Sequence, residues 1–340
     1  MARAATSIDV ARRAGVSQPT VSRALRDLPN ITAATKERVL RAARELDYVP
    51  REAGRSLSTP TTRRIAVVSD ALTNPYYAEL VEPLRQELAR IGHRAVLVAD
   101  SSDDVLTADA LSDGSYDGIL VTTAARDSRL AADLRSRGIP HVFVNRTVDD
   151  HNSHTCGFAE DEGTRLIAEL LTDAGHEHIV FLAGHPRFST AHERETGLRT
   201  ALRERSVRLS DRDVHHIDYT VDAGYAATVR ILRGPQPPTA IVCGNDIVAI
   251  GALNAARDLG WNVPEDITVV AFDDIPAAGW SVISLTTVHC DLPTLARVSV
   301  QTLKKAIDGE EQPMHHRLGV QLVHRTSHGA PRGTCSPMAR

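Results

Sequence analysis

Two rhythms of apolar positions divide this chain. Before about residue 50, apolar residues recur at three- and four-residue spacings in short stretches. From residue 64, short unbroken apolar runs alternate with longer amphipathic ones. In the first part, Thr6 and Asp9 have the spacing of a capping box, so a helix starts there, with Ile8, Ala11 and Ala14 on its buried face. Gly15 ends it, because a C-terminal cap needs the left-handed conformation that glycine tolerates. Ser17 is the N-cap of a second helix that accepts Pro19 in its first turn, where backbone N–H groups lack intrahelical partners. Val21, Ala24 and Leu25 then point inward, and Gln18, Thr20, Ser22 and Arg23 point out. A third helix runs from its N-cap Thr32 to Leu46 and buries Val39, Ala42, Ala43 and Leu46.

The second part reads as alternating strands and helices. One set has strands at 64–69, 94–99, 117–123 and 140–145, with helices at 75–91 and 131–138. The other has strands at 179–183, 214–218, 240–243 and 267–272, with helices at 164–174, 193–204, 223–232 and 246–259. Such alternation predicts parallel sheets covered by helices on both faces. Two sets in tandem predict two lobes with a cleft between them. Ligands of open α/β sheets sit at the carboxyl ends of the strands. That rule selects Ser69 to Tyr77, Thr122 to Ala124, Asn145-Arg146, Gly184 to Arg194, Asp218-Tyr219, Gly244 to Asp246 and Asp273-Asp274. Aromatic platforms, amides and carboxylates in one place are the mix that binds a polar small molecule. Asp246 and Asp274 serve equally well as helix-start caps.

Charge turns the helical pair at the start into more than a hairpin with a polar face. Residues 1–64 carry 13 Lys/Arg against 6 Asp/Glu, a net of +7, whereas the whole 340-residue chain has a net of −4. A basic head on an acidic body suits phosphate neutralisation with little unspecific adhesion. A helix-turn-helix of this kind places its second helix in the DNA major groove. Gln18, Pro19 and Arg23, on the exposed early face of that helix, are the expected base readers. Cys156, Cys243, Cys290 and Cys335 are far apart and read as reduced thiols; neither they nor the pairs His215-His216 and His315-His316 have metal-site spacing. There is no run long enough to span a membrane and no leader, so the expected location is the cytoplasm. Asp70, His185, Asp273 and Asp274 are conceivable acid/base groups of an α/β enzyme. However, no dinucleotide fingerprint, P-loop or nucleophile elbow accompanies them. A solute-binding transport protein fits the body but not the basic head.

The segments Ile8-Asp-Val-Ala11, Ala14-Gly-Val-Ser-Gln-Pro-Thr-Val-Ser-Arg23, Leu46-Asp-Tyr-Val-Pro50 and Arg55-Ser-Leu57 resemble the DNA-binding head of the lactose/galactose repressor (LacI/GalR) family. The likeness continues to about Gly329. The resemblance implies an α-helical helix-turn-helix head plus an α/β periplasmic-binding-protein-like body of two doubly wound parallel-sheet lobes. The head is 1–50, the hinge helix and linker 51–63, the body 64–329 and the tail 330–340. Lobe one takes 64–160 and 291–325 and lobe two 161–290, with the chain crossing back near Leu285-Thr-Thr-Val288. Such a protein is a homodimeric regulator, most often a repressor, of a palindromic double-stranded operator, controlled by a small-molecule effector and using no cofactor. Contacts to DNA are expected from Thr6, Ser17, Gln18, Pro19, Thr20, Ser22, Arg23, Arg55 and Leu57. Arg51 to Leu57 is the hinge helix, too short to be stable alone and weakened further by Gly54. Effector contacts are expected from Tyr76, Tyr77, Thr122, Asn145, Thr190, Arg194, Tyr219, Asn245 and Asp273. A sugar is the first expectation for the effector and a purine or nucleoside the alternative. Asn145 stands where many members have Asp, Phe158-Ala159 replaces a common Asp-Asn, and Ala296 a common Gly, so effector identity stays open.

Overall fold

The computed structural model describes residues 5–25, 31–48, 61–69, 74–99 and 107–332. The chain divides into two units, 1–62 and 63–340. The expected hinge at 51–57, with Arg55 and Leu57, and also Asp70, Cys335 and tail residues 333–340, lie outside the described residues.

In the first unit, Thr6 and Asp9 form the capping box that starts α1 (Ser7–Ala14), and Gly15 ends it at φ 66° with its N–H on the carbonyls of Ala11 and Arg12. Helix α2 (Gln18–Leu25) follows, then α3 (Ala33–Glu45), whose N-cap Thr32 accepts from the Thr35 N–H. Val10, Ala11 and Ala14 of α1 meet Val21 and Ala24 of α2 and Val39, Ala42 and Ala43 of α3 in one small core. Ile8, expected inward, is 54% exposed. The buried stripe of α1 is 10, 11 and 14, and at 100° per residue Ile8 falls about 110° from the centre of that stripe, off its edge.

The second unit holds two six-stranded sheets. The first is ordered β11-β5-β4-β3-β1-β2, from β1 (Arg64–Ser69), β2 (Arg94–Ala99), β3 (Gly118–Val121), β4 (His141–Val144), β5 (His154–Phe158) and β11 (His315–Leu318), all parallel. The second is ordered β12-β10-β9-β8-β6-β7, from β6 (Ile179–Ala183), β7 (Val214–His216), β8 (Ala240–Cys243), β9 (Thr268–Asp273), β10 (Thr286–His289) and β12 (Gln321–Val323). Only the edge pair β10–β12 is antiparallel among the described strands. The inner strands are buried on both faces, as continuous apolar runs in parallel sheets should be.

Helices α4 (Pro75–Arg90), α5 (Ala108–Leu111), α6 (Leu130–Ser136) and α11 (Leu292–Ile307) belong with the first sheet. Helices α7 (Glu160–Asp173), α8 (Ser189–Glu204), α9 (Val221–Leu232) and α10 (Asp246–Asp258) belong with the second. Helix α7 begins earlier than its apolar pattern predicts because Glu160, Asp161 and Glu162 favour the positive end of a helix dipole.

Two expectations need correction. Residues 286–289, read as the return to lobe one, are a strand of the second sheet, and the chain returns only after it, through α11. Residues 321–323, assigned to lobe one, pair with β10 in lobe two, so the first-lobe segment ends with β11. The chain therefore passes between lobes at 158–160, 289–292 and 318–321. Cys156, Cys243 and Cys290 are buried free thiols.

Candidate functional site

On the head, α2 presents Gln18, Pro19 and Arg23 exposed, with Thr20 and Ser22 half-buried beside them. Ser17 caps this helix, accepting from the Thr20 N–H at 3.3 Å and bonding the Thr20 hydroxyl at 2.8 Å. Gln18 donates to the Ser7 hydroxyl at 3.1 Å. Thr6, expected among the DNA contacts, has its hydroxyl committed to Asp9 at 2.6 Å. Its first role is to start α1.

In the body, a cleft opens between the lobes, lined by Asn74, Tyr76, Tyr77, Asn145, Arg146, Thr190, Arg194, Tyr219, Asn245 and Asp273. Eight of the nine expected effector residues are among them. The exception is Thr122, whose hydroxyl donates to the Val68 carbonyl at 3.0 Å and ties β3 to β1 instead. Tyr76 and Tyr77 come from the first turn of α4, capped by Asn74, and meet edge-to-face with centroids 5.6 Å apart. Tyr76 donates to the Asn145 side-chain oxygen at 2.7 Å. Asn145 and Asp273, at the carboxyl ends of β4 and β9, have φ of 66° and 110°, a backbone state uncommon outside glycine and concentrated at functional sites. Asn245 caps α10, accepting from the Val248 N–H at 3.0 Å. Asp246, for which a cap role stood on equal terms with a ligand role, is not the cap. It is instead fully buried, accepting from Thr287 at 2.6 Å and from the Ile275 N–H at 2.8 Å. Asp274 is no cap either; it pairs with Arg325 and His289.

Arg194 organises the second lobe's wall. Its Nε and one terminal nitrogen donate to Glu160 at 2.6 and 3.2 Å, that nitrogen also reaches Asp273 at 3.3 Å, and the other donates to the Gly244 carbonyl at 2.6 Å. The guanidinium also lies 4.5 Å from the centre of the Phe272 ring. Four of its five N–H donors are thus used. Burial opposes the Arg194 charge, but Glu160 and Asp273 outweigh it and the pKa rises. Burial pushes Asp273 up to about 7, with Arg194 pulling it down and Glu160 adding to the rise. Burial also pushes Tyr219 up to about 12, so its hydroxyl stays protonated. That hydroxyl is buried without a hydrogen-bond partner. Its ring sits against Gly184 and Gly244, where an added Cβ would lie 2.6 Å from Cζ and 2.4 Å from the hydroxyl oxygen.

Across the mouth, the lobes touch directly. The Arg126 N–H donates to the Arg187 carbonyl and the Thr147 N–H to the Ser189 hydroxyl, both at 2.8 Å. The Arg146 guanidinium lies 3.9 Å from the centre of the Phe188 ring. Sequence reasoning named Arg146 only as part of a strand end and missed Glu160 altogether. No local signal says which carboxylate, 34 positions away, will meet Arg194. Of the enzyme candidates, His185 and Asp218 form an exposed pair at 3.4 Å and Asp274 is tied to Arg325 and His289. No described group of His, Cys, Asp and Glu is arranged to hold a metal, and no described helix is long and apolar enough to cross a membrane.

Comparison with known proteins agrees with this geometry. Residues 8–51 match the family model for bacterial regulatory proteins of the lacI family, and residues 168–328 the periplasmic binding protein-like domain. The chain is 30% identical over 308 residues to the probable HTH-type transcriptional repressor ExuR of Bacillus subtilis, covering 89% of this chain and 92% of that protein. It is 32% identical over 318 residues to the HTH-type transcriptional repressor PurR of Pectobacterium carotovorum, covering 92% and 93%. Its fold matches the Lac repressor dimer bound to operator and the anti-inducer ONPF, with a TM-score of 0.84 and 26% identity over 96% of this chain and 100% of that one. The chain belongs to the LacI family of bacterial regulatory proteins, transcriptional regulators rather than enzymes.

Proposed function

We propose that this protein is a cytoplasmic repressor that binds a palindromic operator as a homodimer through α2 and releases or tightens its grip when a small effector fills the cleft. The observation that carries this reading is the cavity itself. Tyr76, Tyr77 and Asn145 from lobe one face Thr190, Arg194, Tyr219, Asn245 and Asp273 from lobe two, so one ligand touching both walls changes the lobe arrangement. Two-fold symmetry of the dimer matches two half-sites of the DNA, with Gln18, Pro19 and Arg23 at base edges. The effector read from the lining is a polar molecule with hydroxyls for Asp273 and Asn245 and an apolar face for the tyrosines.

The test has two arms. Sequencing of genomic fragments retained by the full-length protein should return a palindrome. Fluorescence anisotropy on that palindrome should then respond to a sugar or nucleoside that raises the melting temperature of wild type but not of Asp273→Ala. A fragment pool without symmetry removes the dimeric reading. An effector that stabilises both proteins equally removes Asp273 from the site.

A further inference from the structure

Arg146 is the feature of the cleft that a neutral ligand leaves unexplained. It is only 7% exposed and lines the cavity, yet its guanidinium has no hydrogen-bond or ion-pair partner among the described residues. What holds it is stacking: the Phe188 ring at 3.9 Å and the Tyr77 ring at 5.6 Å. Stacking fixes the plane of a guanidinium and uses none of its five N–H donors. A charge largely withdrawn from water and left without an ion-pair partner is costly, and a planar fork with free donors is the shape that takes a carboxylate or phosphate through paired hydrogen bonds.

No described neighbour forms an ion pair with it, although Asp273 lies near enough for the Arg146 charge to pull its pKa down. Asn145, the next residue, is uncharged, and its side-chain oxygen already accepts from Tyr76. Glu160 is bound bidentately to Arg194, and Asp273 reaches the same arginine. Burial pushes Asp273 up to about 7, which removes part of its negative charge near neutral pH. At the mouth, Asp149 pairs with Arg126 at 3.0 Å and Asp218 sits beside His185, whereas the Arg187 guanidinium lies 5.2 Å from the centre of the Phe188 ring. The charges at the entrance balance, and the one buried guanidinium among the described residues with its fork free is inside it.

We propose that the effector is a polyol bearing one anionic group, carboxylate or phosphate, and that Arg146 receives that group. This rests on the cleft reading above and narrows it. Arg194 and Asn245 then serve the hydroxyls, and the charge is read at the opposite lobe. Because Arg146 also stacks on Phe188 of lobe two, an anion drawing its fork inward reorients a contact that spans the two lobes.

The experiment is a thermal-shift and calorimetric panel on the full-length protein: glucose, galactose and mannose, their uronates, and their 6-phosphates. At least one uronate or 6-phosphate should bind while its parent hexose does not, and the arm that binds says whether the anion is carboxylate or phosphate. Arg146→Gln should weaken that ligand by roughly 10- to 100-fold, the range for a charge-assisted hydrogen bond, while Arg146→Lys retains the preference for the anion. The melting temperatures of the unliganded variants, and of Phe188→Leu, which removes the stacking and keeps the charge, separate loss of fold from loss of recognition. Three results overturn the proposal: a neutral hexose that binds as tightly as its charged derivatives, an anionic ligand indifferent to Arg146→Gln, or no binding by any anionic member. A neutral sugar or nucleoside whose binding is lost in Asp273→Ala overturns the anion inference alone and leaves the cleft reading standing. Ligands insensitive to both substitutions remove the cleft reading.

Discussion

Glu160→Gln is the substitution that tests the cleft wall most directly. Glu160 and Arg194 have side chains only 3% exposed, and their short contact of 2.6 Å is supported by a second at 3.2 Å. Removing one member of a buried ion pair costs about 3–5 kcal/mol, because the other charge is left uncompensated. Glutamine keeps one acceptor oxygen, and Asp273 at 3.3 Å can take over as counter-ion, so the cost depends on whether Asp273 is ionised. In the wild type the folded pKa of Asp273, about 7, lies above its unfolded value. Between about pH 4 and 7 the folded state therefore holds a proton that the unfolded state has released, and stability falls as pH rises through that window. In the variant the repulsion from Glu160 is gone and Arg194 needs Asp273 charged, so the Asp273 pKa drops and this slope flattens. Asp246, also raised by burial and then by Asp273, contributes to the slope of both proteins, so their difference reports mainly on Asp273. The expected penalty is about 3 kcal/mol near pH 5.5 and about 1 kcal/mol near pH 8. Urea unfolding followed by far-UV circular dichroism at both pH values measures it. Parallel pH profiles for the two proteins, or a penalty below about 0.5 kcal/mol at the lower pH, would refute the reasoning.

Three further outcomes follow from single contacts. Tyr219→Phe removes a buried hydroxyl without a partner, so the unliganded protein should gain about 1 kcal/mol, seen as a higher melting temperature; a loss would mean the hydroxyl is satisfied in solution. Gly244→Ala drives a methyl to 2.4 Å from that hydroxyl and should cost about 1–3 kcal/mol in urea unfolding, a cost that Tyr219→Ala in the same chain relieves; additive penalties would contradict the close approach. Arg23→Ala should relax base preference at one position of each half-site by about 1–3 kcal/mol in a selection experiment, whereas an unchanged site logo with uniformly weaker binding would make Arg23 a phosphate contact.

The head was legible in the sequence because each of its signals is local. Thr6, Gly15, Ser17 and Thr32 act through bonds to residues within a turn of themselves. The inner strands were legible for a related reason: a strand buried on both faces must be apolar throughout. Strand β5, His-Thr-Cys-Gly-Phe, escaped because its burial is supplied by neighbours rather than by its own composition. Helix α11 escaped because Ser299 and Thr302 lie among its buried residues and interrupt the apolar stripe. The strand-end rule found most of the cleft but could not rank within it. Whether Thr122 points to the ligand or back to Val68, and whether Arg146 or Arg194 has donors to spare, is decided by partners far away in the chain.

The three passages of the chain between lobes have a consequence for biosynthesis. Lobe two is nearly continuous from Glu160 to His289, so a ribosome delivers most of it in one stretch. Lobe one waits. Its helix α4, with Leu80, Leu84 and Leu88 fully buried in the finished protein, is covered by α11, and the free edge of β5 is closed only by β11. At ~5–20 residues per second, the emergence of α7 and of α11 is separated by roughly 7–30 s. During that interval the nascent chain carries an uncovered leucine face and an unpaired strand edge, the two features that most invite association with other chains. The yield of this protein in a cell is therefore expected to depend on what shields lobe one while the second lobe is being made, rather than on the stability of either lobe once complete.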